Sequence, residues 1–149
     1  SLTFNDYTRK YINVYRQCVN GQWTGLKTKG SKRRIAIDKD LYSVLEEQYQ
    51  KYKNYPEFSM DWFIFGGYDQ FNQTTVTRIK NEACAKANLK QIRIHDFRHS
   101  HASNLIEAGV NMYKISKRLG HSSVTITMDR YGHLIDQDGD EILDAMRKK

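Results

Sequence analysis

Cysteine and proline are scarce in this sequence of 149 residues, which contains two cysteines and one proline. Cys18 and Cys84 lie far apart and belong to no Cys-x-x-Cys pair, which argues against a disulfide framework and a cysteine-rich zinc site. We expect both to be reduced thiols, with Cys84 in the core. Internal repeats and low-complexity linkers are also absent, so the sequence predicts one domain with its own core.

Long apolar runs and a recognisable leader are missing as well. No run approaches the roughly 18 apolar residues that cross a bilayer, and the first residues, SLTFNDYTRKY, lack the basic-then-apolar layout of a signal peptide. These absences predict a cytoplasmic protein without a membrane partner.

Positive charge is in excess and unevenly distributed. The 24 Lys and Arg residues outnumber 17 Asp and Glu residues, for a formal charge of +7, which favours a nucleic acid over an anionic membrane as partner. Five basic residues crowd the segment KTKGSKRR, namely Lys27, Lys29, Lys32, Arg33 and Arg34. The segment DQDGDEILD near the C-terminus is acidic. We expect the basic segment to face phosphates and the acidic tail to avoid them.

Local patterns predict an α+β fold that is mostly helical. The β-branched and aromatic runs YINVYRQCV and RRIAID are separated by glycine-containing turns, so they predict a small antiparallel sheet near the N-terminus with a basic turn at 27–34. Asp38 or Asp40 can cap a helix that ends before Asn54 and Pro56. The run DWFIFGGYDQ is typical of a buried aromatic segment.

The second half of the chain reads as successive helices. Thr74 or Thr75 can open one helix, and HDFRHSHASNLIEAG predicts another. A further helix is expected between Asn111 and Gly120, followed by one capped at Ser122 or Ser123.

Four short stretches contain residues that can carry chemistry: LKTKGSKRR, HDFRH, LGHSS and DRYGH. His95 and Arg98 stand three apart at a predicted helix N-terminus, so they share a face and can converge on one anion. Each stretch has an ordinary explanation when taken alone. His121 can be a capping residue, and a lone tyrosine such as Tyr131 is usually a packing residue.

Two other interpretations account for part of the pattern. His95 and His99, at i and i+4 around an acid, resemble a metalloprotease motif, but no third ligand is evident and Arg98 would oppose a cation. The segment AGVNMYKISKRLGHSSVTI is compatible with a helix-turn-helix DNA-binding module without catalysis. That second interpretation leaves His95, Arg98 and Tyr131 without a role.

The ordered set of motifs resembles the catalytic domain of the tyrosine recombinases, the phage-integrase family. A lysine on a β-turn is followed by His-x-x-Arg, then Leu-Gly-His, then a tyrosine ten residues after that histidine. The resemblance extends from SLTFND to EILDAMRKK and is far more specific than any one motif. It implies a site-specific recombinase or integrase of a mobile element, acting on double-stranded DNA without a metal or other cofactor.

The resemblance also implies a role for each residue. Tyr131 would attack the scissile phosphate and form a 3′-phosphotyrosyl link. Arg98 would hold non-bridging oxygens, and His121 would donate a hydrogen bond to the same phosphate. His95 would accept the tyrosine proton or brace the phosphate.

A lysine of the basic turn would protonate the departing 5′-oxygen. Lys27 precedes a threonine as in one family form, whereas Lys29 precedes a glycine as in a related form. We favour Lys27 because it also aligns Ser31 and Arg33, although residues two apart on a strand face the same side. The remaining basic residues are expected to bind DNA: Lys29, Lys32, Arg33 and Arg34.

The sequence departs from the pattern of the family that it resembles at the start of the chain. In the family, a first catalytic arginine lies just upstream of the segment that resembles SLTFND. We therefore expect residues 1–149 to be a catalytic domain without that arginine and without the N-terminal core-binding domain, and to cleave DNA poorly or not at all when alone.

The C-terminal tail carries a narrow apolar stripe, formed by Ile142, Leu143 and Met146. A helix this short is marginal in water, so the stripe should dock on protein. In the family the terminal segment is similar to an element exchanged between protomers of a DNA-bound tetramer, or folded back on its own domain. We expect docking in cis or in trans, with GHLIDQDG as the hinge.

Deleting the residues after Gly139 in the full-length protein should reduce cooperative assembly on DNA more than the binding of a single protomer, because the stripe would lose its neighbour. A gel-shift titration measures both quantities. Unchanged cooperativity would show that the tail helix is only a local cap.

Overall fold

A computed structural model describes residues 2–19, 21–135 and 146–147. Within them, four short strands precede five α-helices, which confirms the predicted α+β, mostly helical fold. The strands are β1 (Tyr11–Val14), β2 (Arg16–Val19), β3 (Gln22–Gly25) and β4 (Arg33–Ala36). The helices are α1 (Lys39–Tyr52), α2 (Gln73–Lys86), α3 (Ile94–Glu107), α4 (Met112–Leu119) and α5 (Val124–Tyr131). Short 3₁₀ turns occupy Phe4–Asp6, Lys29–Ser31 and Gly132–Leu134.

The strands form two antiparallel ladders rather than one sheet. β1 pairs with β4, with Tyr11 opposite Ala36, and β2 pairs with β3, with Arg16 opposite Gly25. Gly21 adopts a φ of +77°, a left-handed conformation that suits glycine, and the chain reverses there. The local hairpin explains why the first predicted strand divides into two, since β2 pairs with its sequence neighbour β3 and not with β4.

The N-terminal half has an aromatic core. Phe4, Leu45 and Ile64 are buried, and three further aromatic rings make edge-to-face contacts with Phe4 or with one another. Those rings belong to Tyr49, Tyr52 and Phe58, with centroids 5.5–6.2 Å from that of Phe4. Asp38, one of the two predicted caps, is the N-cap of α1, and its carboxylate accepts a hydrogen bond from the Leu41 amide at 2.8 Å.

A buried carboxylate links this core to the β2–β3 hairpin. Asp6 accepts hydrogen bonds from the amide and hydroxyl of Thr3, at 2.8 and 3.0 Å. The guanidinium of Arg16 lies 3.5 Å from Asp6 and also lies 4.1 Å from the ring centroid of Trp23. The ion pair compensates for burying the charge of Asp6 and holds the first residues against the sheet.

The C-terminal half has a separate core between α3, α4 and α5. Its buried members are Ala102, Ile115, Leu119 and Tyr131. α4 begins after Asn111, whose side chain accepts from the Tyr113 amide at 2.9 Å, and it ends at Gly120 with a φ of +75°. Ser123 caps α5. These three boundaries agree with the sequence predictions.

Helix α2 departs from the predictions. Its N-cap is Asn72, which accepts from the Thr75 amide at 2.8 Å, so Thr74 or Thr75 as the opening residue was wrong. No residue of α2 is buried. Its apolar side lines an open groove of about 670 Å³ together with Phe71 and Phe97.

The two cysteines lie in different environments. Cys84 lines the groove along α2 and is only partly buried, so its placement in the core was wrong, while Cys18 is buried beside the hairpin. The predicted docking of Ile142 and Leu143 falls outside the described residues. None of the described helices is long and apolar enough to cross a bilayer.

Replacing Leu45 by alanine should lower the free energy of unfolding by about 2–5 kcal/mol, because the change opens a cavity in a well-packed core. Leu89→Ala is the matched control, since Leu45 is 2% exposed and Leu89 is 65% exposed. Urea unfolding measures both. Losses of equal size would contradict the placement of the N-terminal core.

Candidate active site

The first turn of α3 is held by an ion pair. The Asp96 carboxylate accepts a hydrogen bond from the Arg93 amide at 2.8 Å and from its guanidinium at 2.9 Å. These side-chain and backbone hydrogen bonds lower the pKa of Asp96. The ordered turn sets the direction in which His95, Arg98 and His99 leave the helix.

Three arginines and one histidine interact electrostatically across the fold: Arg33 on β4, Arg98 on α3, Arg130 on α5 and His121 between α4 and α5. Burial lowers the pKa of Arg98, and Arg130 lowers it further. Burial also lowers the pKa of His121, with additional contributions from Arg98, Arg130 and Arg33. The pKa of Arg33 is lowered by burial and by Arg98. Mutual interactions of this kind mark a concentrated positive field, which an anion such as a phosphate would relieve.

His121 lies at the junction of α4 and α5, directly after Gly120. Its Nδ1 is 2.7 Å from the hydroxyl of Thr127, which is fully buried. If the Thr127 hydroxyl donates to Nδ1, Nε2 carries the proton and is able to donate to an anion. The position of this histidine therefore depends on a side chain of the next helix.

Arg33 joins the basic turn to the end of α4. Its Nε donates to the Arg118 carbonyl at 2.9 Å, and its Nη1 donates to the Ser31 carbonyl at 2.9 Å. A Cβ at Gly120 would lie 2.6 Å from that Nη1, so glycine permits this close approach. Arg33 is thus held by two carbonyls, and its predicted contact with DNA stays a prediction.

The other basic residues of this region face solvent. Lys27, Lys32 and Arg34 are exposed, and the guanidinium of Arg34 lies 4.2 Å from the ring centroid of Tyr11. The turn lies against the segment that carries His121. A Cβ placed on Gly30 would lie 3.3 Å from the Cα of Ser122 and 3.7 Å from the carbonyl oxygen of His121.

The side chain of Lys29 lies outside the described part of the structure. The alternative between Lys27 and Lys29 as the phosphate-facing lysine therefore stays open.

Tyr131 is both a core residue and a hydrogen-bonding one. It is 3% exposed and packs with Ala102, Ile115 and Leu119. Its hydroxyl lies 2.8 Å from Nδ1 of His99. It also lies close enough to Arg98 to raise the pKa of that guanidinium. The hydroxyl therefore contacts an imidazole and lies within electrostatic range of a guanidinium.

His95 reaches Tyr131 only through another ring. The centroids of His95 and His99 are 4.8 Å apart in an edge-to-face arrangement, and His99 contacts Tyr131. His95 is exposed. The resemblance implies that His95 accepts the tyrosine proton or braces the phosphate, whereas the side chain in contact with the phenol is His99.

Sequence reasoning missed three side chains of this site. His99 was considered only as half of a metal pair, whereas Thr127 and Arg130 were not considered at all. A signal existed for His99, which lies at i+4 from His95 and so on the same helix face, and for Arg130, which adjoins Tyr131. Thr127 had no such signal because its role depends on the packing of α5.

The metal hypothesis finds no support in the described residues. Among residues 2–19, 21–135 and 146–147, no three His, Cys, Asp or Glu side chains are grouped to hold a metal ion. Asp96, the acid between the two histidines, is engaged by Arg93.

Comparison with known proteins decides the family. The model of the phage integrase family matches residues 2–138. The chain belongs to this family. The ICEBs1 integrase of Bacillus subtilis (strain 168) is 37% identical over 145 residues, covering 91% of this chain and 39% of that protein. The integrase of Staphylococcus phage L54a is 30% identical, covering 82% of this chain and 36% of that protein.

Solved structures show the same integrase-family fold. The crystal structure of XerA recombinase superposes with a TM-score of 0.70 at 22% identity, covering 98% of this chain and 50% of that one. The Tn1549 transposon integrase in complex with circular intermediate DNA gives a TM-score of 0.65 at 21% identity, covering 99% and 53%. The chain thus spans about two fifths of these curated relatives and half of these structural neighbours.

The electrostatic coupling in the site can be measured by titrating the histidines. Replacing Arg98 by glutamine should raise the pKa of His121 without restoring its ordinary value, because burial is the larger cause and persists. His101 serves as an internal control, since burial and Arg118 lower its pKa. NMR titration measures the pKa of each histidine. An unchanged His121 pKa would show that Arg98 and His121 do not interact in one site.

Proposed function

We propose that this chain is the catalytic domain of a site-specific DNA recombinase or integrase of a mobile element, which cuts and rejoins DNA through a 3′-phosphotyrosyl intermediate. The observation that carries the proposal is the electrostatic coupling of Arg98 to Tyr131, to Arg130 and to His121. Membership of the phage integrase family supports the same reaction. We place this activity in the cytoplasm.

The proposed reaction begins with attack by the Tyr131 hydroxyl oxygen on the scissile phosphorus. Arg98 holds the non-bridging oxygens with its planar, permanently charged guanidinium, and His121 donates to the same group. The bond between phosphorus and the 5′-oxygen breaks, and Lys27 or Lys29 supplies a proton to that oxygen. A second DNA 5′-hydroxyl can then reverse the attack and rejoin the strands.

Phenol activation explains why the cluster is needed. A phenol with a pKa near ~10 is a poor nucleophile at neutral pH unless a base and cations act on it. The phosphotyrosyl link keeps the bond energy of the phosphodiester, so the proposed reaction needs neither a nucleotide nor a metal ion.

DNA is the proposed partner, and the basic turn is the proposed contact surface. Lys32 and Arg34 are exposed beside the turn that approaches His121. Contacts of this kind with the phosphate backbone weaken as salt concentration rises. The Tn1549 integrase was solved in complex with DNA, which supports this choice of partner.

We further propose that the protein acts as a homo-oligomer, a tetramer on DNA in the full-length protein. The activity also calls for elements beyond these residues, namely a first catalytic arginine and a core-binding domain. The share of its relatives that the chain spans supports this part of the proposal.

Replacing Tyr131 by phenylalanine in the full-length protein should abolish its covalent attachment to a suicide DNA substrate and leave DNA binding nearly intact, because one hydroxyl is removed with little contact area. Tyr113→Phe is the control, since Tyr113 is 59% exposed on α4. EDTA should leave the wild-type reaction unchanged. An adduct formed by the Tyr131→Phe protein would show that another residue is the nucleophile.

A further inference from the structure

The hydroxyl of Tyr131 has one hydrogen-bonding side chain next to it among the described residues, and that side chain is His99. The distance between Nδ1 and the hydroxyl oxygen is 2.8 Å, which is within the normal range for a bond that the hydroxyl donates. Tyr131 is almost fully buried, so water has little access to its hydroxyl. The proton of this phenol therefore has a built path to an imidazole.

We propose that His99 is a catalytic residue that takes the proton of Tyr131 as the phenol attacks DNA. The inference rests on the proposed function and refines it, since the resemblance implies that His95 accepts this proton or braces the phosphate. His95 touches His99 edge to face, and the described residues show no hydrogen bond from His95 to Tyr131. His95 is left to brace the phosphate or the ring of His99.

The guanidinium of Arg98 interacts electrostatically with Tyr131. A guanidinium stabilises a developing phenolate, so this charge favours departure of the phenol proton as Tyr131 attacks.

The step balances without another reactant. The O–H bond of Tyr131 breaks and its proton passes to Nδ1 of His99, while the phenol oxygen forms a bond to phosphorus. The phosphorus bond to the 5′-oxygen breaks, and that oxygen takes its proton from the turn lysine. In the rejoining step the attacking 5′-hydroxyl gives its proton to the turn lysine, and the proton held by His99 returns to Tyr131.

The test measures the rate of covalent adduct formation by the full-length protein on a suicide DNA substrate at saturating DNA. In His99→Asn, an amide oxygen can accept the hydrogen bond near the position of Nδ1 but cannot take the proton. The rate should fall about 100-fold or more, the usual contribution of a general base, while gel-shift affinity stays unchanged. His99→Ala, which also removes the hydrogen bond, should be at least as slow.

His101→Asn is the matched control, because His101 lies on the same helix and binds Arg118 instead of Tyr131. It should keep the wild-type rate. If the alanine variant does not fold, His99→Gln replaces it, and gel-shift affinity reports folding for each variant.

Three outcomes would overturn the proposal. A wild-type rate in His99→Asn would mean that the hydrogen bond only positions the tyrosine. A faster rate would mean that His99 restrains the tyrosine at rest. A slower rate of adduct formation in His95→Asn, with an unchanged rate in His99→Asn, would mean that His95 accepts the proton of Tyr131. Tyr131→Phe in the same assay separates these outcomes from failure of the proposed function, since an adduct there would remove Tyr131 as nucleophile.

Discussion

The hydrogen bond from Arg33 to the Arg118 carbonyl joins the N-terminal half of the molecule to the C-terminal half. One half is built around the aromatic core of Phe4 and the other around the helices that bury Tyr131. Arg33 lies on β4, and its donor reaches the carbonyl end of α4, where the helix dipole favours a cation. Arg118 returns a hydrogen bond to the Ala36 carbonyl at 3.1 Å. Because these ties cross between the halves, the basic turn lies against the junction that carries His121.

The same arrangement crowds positive charge into a partly buried place. Burial is the larger cause of the lowered pKa of His121, and Arg98, Arg130 and Arg33 lower it further. A fold optimised only for stability would avoid such a cluster, whereas the proposed phosphate site requires it. In the proposed function these charges would stabilise a bound anion, and more so if the anion gains charge in a transition state.

For Tyr131, packing in a core and the proposed chemistry are compatible. Its ring fills the core between α3, α4 and α5, which gives the hydroxyl a defined position, and the hydroxyl ends beside His99 and close to Arg98. A nucleophile held by a packed core loses little conformational freedom when it reacts. Burial also limits the access of water to the phenol.

Local rules determined much of this protein from its sequence. Asn111, Gly120 and Ser123 set the ends of helices through backbone hydrogen bonds within a few residues, so each boundary was predictable. The order of the motifs likewise indicated the family. Contacts between distant parts of the chain were not encoded in any short pattern. The bond from Arg33 spans 85 residues and that between His99 and Tyr131 spans 32, so only packing of the helices decided which histidine meets the phenol.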